Sequence, residues 1–105
     1  MRSVQVAITM RQAFRGVARG TLRTVHIRIS AERVPTLGLM IFSPDQRIEN
    51  LPDGSRIVAW KTRGLPVLAE WITGTGGVVV AEVPVELMTG VARIASGTAA
   101  AHQPV

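Results

Sequence analysis

Cysteine is absent from the 105 residues, which removes disulfides, thiolate nucleophiles and cysteine metal sites together. Tyrosine is absent too, and the aromatics are two Trp and two Phe. A surface that stacks nucleobases on aromatic rings therefore has little to draw on; Phe14 alone lies among the arginines of the first third. No apolar run approaches the ~20 residues that a membrane helix needs. The start, MRSVQVAITMRQ, alternates and breaks at Gln5 and Thr9, unlike the continuous apolar centre of a signal peptide. These absences give the expectation of a cytoplasmic protein with no membrane partner.

Catalytic and metal-binding patterns are also missing. The two histidines, His26 and His102, have no carboxylates clustered at ligand spacing around them, so no metal site is expected. There is no Gly-x-Ser-x-Gly elbow for a serine nucleophile. Glu70 beside Trp71 has the composition of a general acid raised by an apolar pocket, but a partly exposed Glu on a strand is the commoner arrangement. The residues thus read as a non-enzymatic module rather than an enzyme, with no cofactor and no evident small-molecule ligand.

Acidic residues are missing from one region in particular. Residues 1–31 hold Arg2, Arg11, Arg15, Arg19, Arg23 and Arg28 and not one Asp or Glu. The rest of the chain is close to balanced, and the net charge is +5. A basic segment without acids suits phosphate, which gives sequence-independent affinity through counterion release. Eleven of the twelve basic residues are Arg, and Ala, Gly and Val are abundant. GC-rich coding, as in many bacterial accessory proteins, produces the same bias without a functional cause. Arg11, Arg15 and Arg19 share one face whether the segment is helix or strand, because a spacing of four satisfies both periods. On a helix such a row repels itself; an anionic partner, or acids such as Glu70, Glu82 and Glu86, would relieve it.

The organising stretch is Arg47 to Arg63, RIENLPDGSRIVAWKTR. Pro52, Asp53 and Gly54 supply a type I turn with a positive-φ exit, which predicts a hairpin. The outgoing run 56–62 has apolar residues on both faces at Ile57, Val58, Ala59 and Trp60, predicting a central strand covered on both sides. The incoming side reads as a shorter, wetter strand.

Around this hairpin, Ser3 to Met10 alternates as a half-buried strand. Residues 11–20 admit a short helix near 10–19 or a strand. Leu22 to Ser30 alternates, with Val25, Ile27 and Ile29 inward and Thr24, His26, Arg28 and Ser30 outward. Ala31 to Thr36 reads as a connection and Leu37 to Phe42 as a buried strand. Val67 to Thr73 fits a strand or a helical segment. Gly74 to Gly77 leads into the strand Val78 to Val83, not into a helix N-terminus, so it is a connection and not a phosphate loop. Pro84 to Ser96 predicts a helix, with Pro84 at N1, Glu86 in its first turn and Gly97 at C′. Residues 98–105 read as a flexible tail.

Two stretches, RIVAWKTRG (Arg56 to Gly64) and VPVELMTGVARI (Val83 to Ile94), resemble the penultimate strand and closing helix of the small-barrel ribonuclease toxins related to MazF. The resemblance covers about a fifth of the chain and implies a small toxin-like barrel as a third alternative. The N-terminal part, where that family keeps its RNA-cleaving residues, does not match, so no catalytic residue is carried over.

The reading is a single compact α+β domain over residues 1–97: a mostly antiparallel sheet of five or six strands with a C-terminal helix packed on one face. Trp60, Ile57, Leu39, Ile41, Val79, Leu87, Val91 and Ile94 are expected in the core. The functional expectation is a small basic module that binds nucleic acid or a nucleoprotein through Arg11, Arg15, Arg19, Arg23 and Arg28, with His26 beside them. The alternative is a self-assembling structural or regulatory module, a homo-oligomer whose 47% hydrophobic content is buried between subunits.

Overall fold

The computed structural model describes residues 21–104. The expected strand at 3–10, the helix or strand at 11–20 and the side chains of Arg11, Arg15 and Arg19 lie outside the described residues. The elements are β1 (Arg23–Ile29), a single 3-10 turn (Ala31–Arg33) running into α1 (Val34–Leu37), β2 (Arg47–Asn50), β3 (Arg56–Thr62), α2 (Leu65–Gly74), β4 (Val79–Val83) and α3 (Val85–Ala101). The sheet has four strands among the described residues, in the order β2-β3-β1-β4, with every pairing antiparallel. Among the described residues the expected five or six strands are thus reduced to four.

Alternation in β1 sets the layering. Val25, Ile27 and Ile29 are each 0% exposed, because a period of two turns them all to one side, the side on which α2 and α3 lie. The buried residues of β3 (Val58, Trp60), of β4 (Val79, Ala81), of α2 (Leu68, Ala69, Ile72) and of α3 (Leu87) complete one core. Gly90 of α3 faces α2: a Cβ there would meet the Cβ of Ala69 at 3.4 Å.

The hairpin forms as its turn residues dictate. Leu51 accepts from the Gly54 N–H at 3.0 Å and donates to the Ser55 carbonyl at 2.9 Å. Gly54 has φ of 89°, where a side chain would be strained. The Asp53 carboxylate accepts from the Ser55 backbone at 2.9 Å, an Asx turn. β2 is the short, wet strand expected, exposed at all four positions. β3 is central, but it is covered on one side rather than both: Ile57 and Ala59 point away from the helices and are half-buried.

The expected strand at Leu37–Phe42 is absent. Pro35 seats α1 at its first turn, where a missing N–H costs nothing, so the connection 31–36 is helical and the apolar run that follows is an irregular crossing. Leu39 is 64% exposed and Ile41 43%, whereas Phe42 is 2% exposed. The run pairs with no strand of the sheet, and here it serves as a cover. Phe42 is its anchor, stacked on Trp60 with ring centroids 4.6 Å apart and meeting Trp71 edge-on at 5.4 Å. Its backbone N–H donates to Gln46 Oε1 at 2.7 Å.

Residues 65–74 resolve as helix, with Pro66 in the first turn and Leu68, Ala69 and Ile72 at helical spacing. The chain then turns through Gly76 and Gly77, with φ of 66° and 93°. Thr75 bridges the junction, donating to the Ile72 carbonyl at 2.6 Å and accepting from the Val79 N–H at 3.1 Å. α3 starts one residue later than expected, with Pro84 as N-cap, and runs on to Ala101. Gly97 is inside it, because Ala99, Ala100 and Ala101 favour propagation. Of the expected core, Trp60, Val79 and Leu87 are buried, Val91 and Ile94 are half-buried against it, and Leu39, Ile41 and Ile57 are not part of it.

The aromatic cluster and the exposed crossing predict opposite responses. Phe42→Ala is expected to cost about 3–5 kcal/mol, the range for a truncated core aromatic, and Leu39→Ala to stay within about 0.5 kcal/mol. Urea unfolding followed by tryptophan fluorescence measures both.

Candidate nucleic-acid interface

No described element covers the second face of the sheet. The registers fix what it carries. Thr24 pairs with Lys61, His26 with Ala59 and Arg28 with Ile57 across β1 and β3; Arg47 pairs with Ala59 and Glu49 with Ile57 across β2 and β3. One row therefore reads Arg47, Ala59, His26, and the next reads Glu49, Ile57, Arg28. Ala59 is small and sits between two large polar side chains, so the middle of the face is hollow. The hollow has a volume of about 620 Å³, with Thr24, His26, Asp45, Arg47, Glu49 and Lys61 as its polar lining.

Arg28 is engaged: its guanidinium lies 2.8 Å from Glu82 of the neighbouring strand β4. Among the described residues no hydrogen bond or ion pair holds the side chains of His26, Arg47, Glu49 or Lys61. Asp45 accepts from the Ser43 hydroxyl. Arg47 and Lys61 are thus cations whose donors face solvent, and they stand beside His26 at the hollow.

The sequence-predicted row divides here. His26 and Arg28 are on the bare face, but Arg23 shares the parity of Val25 and points to the helix side, donating to Glu86 Oε2 at 2.9 Å. The structure does not bring Arg23 together with His26 and Arg28. Arg47 and Lys61, absent from the sequence-based site, belong to the face instead. Their signal was present in the hairpin: once the turn at 51–54 is placed, antiparallel pairing puts Arg47, Ala59 and Lys61 on one side.

The aromatics among the described residues, Phe42, Trp60 and Trp71, form one cluster, and Trp60 also lines the hollow from below. The described residues contain no group of three or more His, Asp or Glu placed to hold a metal ion. They also contain no helix long and apolar enough to cross a membrane.

Two carboxylates carry electrostatic work outside the hollow. The Glu86 carboxyl is held below its ordinary 4.5 by a backbone N–H at the start of α3 and by Arg23. The Asp53 carboxyl is held below 3.8 by the Ser55 hydroxyl and backbone N–H.

Strand, helical connection, hairpin, helix and strand, with the first strand central and the last beside it, make the split β-α-β arrangement, here with a second long helix appended. The class is a small α+β domain with helices on one face and a bare polar sheet on the other. The chain belongs to the WCX domain family, which residues 21–99 match. No curated protein matches the chain. Among the described residues the sheet has two edges, β2 and β4, and does not close into the barrel that the toxin resemblance implied; the two resembling stretches hold β3 and, after the last residue of β4, α3.

Both lowered carboxyls stabilise the fold above their unfolded values, and that contribution is lost as pH falls through the lower folded values. Stability is therefore expected to fall below about pH 4.5, and Arg23→Ala and Ser55→Ala each to flatten that fall. Urea midpoints measured across the acid range test this.

Proposed function

We propose that the chain is a non-enzymatic module that binds nucleic acid through phosphate contacts at the bare face of its sheet. The observation that carries this reading is the pairing state of the face: Arg47 and Lys61 have no partner among the described residues and flank a hollow with His26 on its far bank. Unpaired cations beside a concave surface suit a phosphate backbone, since each contact releases condensed counterions. Arg28 adds a further cation once Glu82 yields to a phosphate. By sequence, Arg11, Arg15 and Arg19 add three further cations to the chain. Affinity that rests on charge is steeply salt-dependent.

Fluorescence anisotropy against mixed-sequence single- and double-stranded DNA and RNA, across a salt series, tests the reading. Binding is expected, with Arg47→Ala and Lys61→Ala each lowering the salt slope by about 1. Arg23→Ala is expected to leave the slope unchanged. Absence of binding at low salt would sink the proposal.

A separate observation favours self-assembly as a second reading. Among the described residues β4 is an edge strand whose N–H and C=O groups offer a pairing template, and Val80, Val83, Val85 and Met88 are exposed beside it, with Val85 at 67% and Met88 at 46%. Light scattering over a concentration series is expected to show a dimer that Met88→Glu shifts to monomer. A monomer at all concentrations would remove this reading.

A further inference from the structure

The hollow on the sheet carries an unexpected combination for a phosphate-binding surface. Two carboxylates, Asp45 and Glu49, line it together with the cations Arg47 and Lys61. Carboxylates repel phosphate, so their presence lowers affinity unless the ligand also brings hydrogen-bond donors. Glu49 has no partner among the described residues, and an ionised carboxylate accepts only.

The dimensions narrow the class of ligand. The banks, β2 with Arg47 and Glu49 and β1 with Thr24 and His26, are separated by β3, hence by two strand spacings, about 9–10 Å. The floor between them is Ala59 and Ile57, an apolar patch set between polar banks. That gap admits one planar heterocycle lying over an apolar floor with its edge against a bank. Its volume, about 620 Å³, falls within the range of small-ligand sites. A ring with amino donors joined to an anionic group is a nucleotide, and it uses both signs of charge.

Resting on the nucleic-acid reading above, we infer that the hollow reads a base. Arg47 and Lys61 hold the phosphates on either side of one nucleotide, whose base lies over Ala59 and Ile57. Glu49, with Asp45, accepts from its exocyclic amino group. Cytosine offers that donor and uracil presents a carbonyl at the same position, so a carboxylate attracts the first and repels the second. The face is therefore selective for cytosine over uracil within a single strand, a preference that phosphate contacts cannot produce.

The experiment compares fluorescein-labelled oligocytidine and oligouridine of equal length, by anisotropy at one salt concentration. Cytidine is expected to bind at least about fivefold more tightly. Glu49→Gln, on an exposed edge strand, is expected to bring the ratio towards one while the oligouridine affinity is kept or raised. Ala59→Leu, which fills the floor, is expected to abolish the preference as well, with circular dichroism confirming the fold. Equal binding of the two wild-type ligands overturns the base-reading inference and leaves phosphate binding standing. A preference that survives both substitutions also overturns it. Binding of neither ligand removes both proposals.

Discussion

One-sided burial of the sheet is the constraint on which the rest depends. Val25, Ile27 and Ile29 of the central strand β1 are sealed against α2 and α3, and a strand cannot bury both parities without a second layer. The alternate residues are released from packing. Thr24, His26 and Arg28 are then free to be polar, and their partners across the sheet inherit the same freedom. In the helix layer Gly90 of α3 faces Ala69 of α2, and Thr75 joins the end of α2 to β4. The bare face is displayed on the opposite side of the sheet from this layer.

Aromatic placement follows from the same constraint. The core is one layer deep. Phe42 joins it from the irregular crossing, lying against Trp60 of β3 and Trp71 of α2. The bare face is left with charges around Ala59 and Ile57, so its chemistry is that of ion pairing and directional hydrogen bonding.

What could be read in advance was local. The β2–β3 hairpin is specified by four consecutive residues whose φ preferences agree, and β1 by seven residues of strict alternation. The misreadings required knowledge of partners. Leu37–Phe42 has the composition of a buried strand, yet a strand exists only where a neighbour offers a ladder. Ile57 and Ala59 looked buried because apolar character was taken to mean cover, although a small apolar pair can equally floor a depression. Gly97 looked like a helix stop, but nothing after it opposes the helix. Arg23 and His26 were grouped by proximity in sequence, while the pleat sends residues of odd separation to opposite faces. Arg47 and Lys61 were overlooked because the basic third drew attention away from a balanced middle.

β2 consists of four residues, each exposed, and touches the remainder of the sheet along β3 alone. Detaching it uncovers almost no core. Such a strand belongs to the low end of the spectrum of sub-global opening energies, and its amides exchange with solvent long before those of β1. A ligand seated against both banks of the hollow would bind the closed form in preference to the opened one, and by mass action would slow that exchange. The bank carrying Arg47 and Glu49 thus doubles as a reporter: protection of its amides registers occupancy without any label on the ligand.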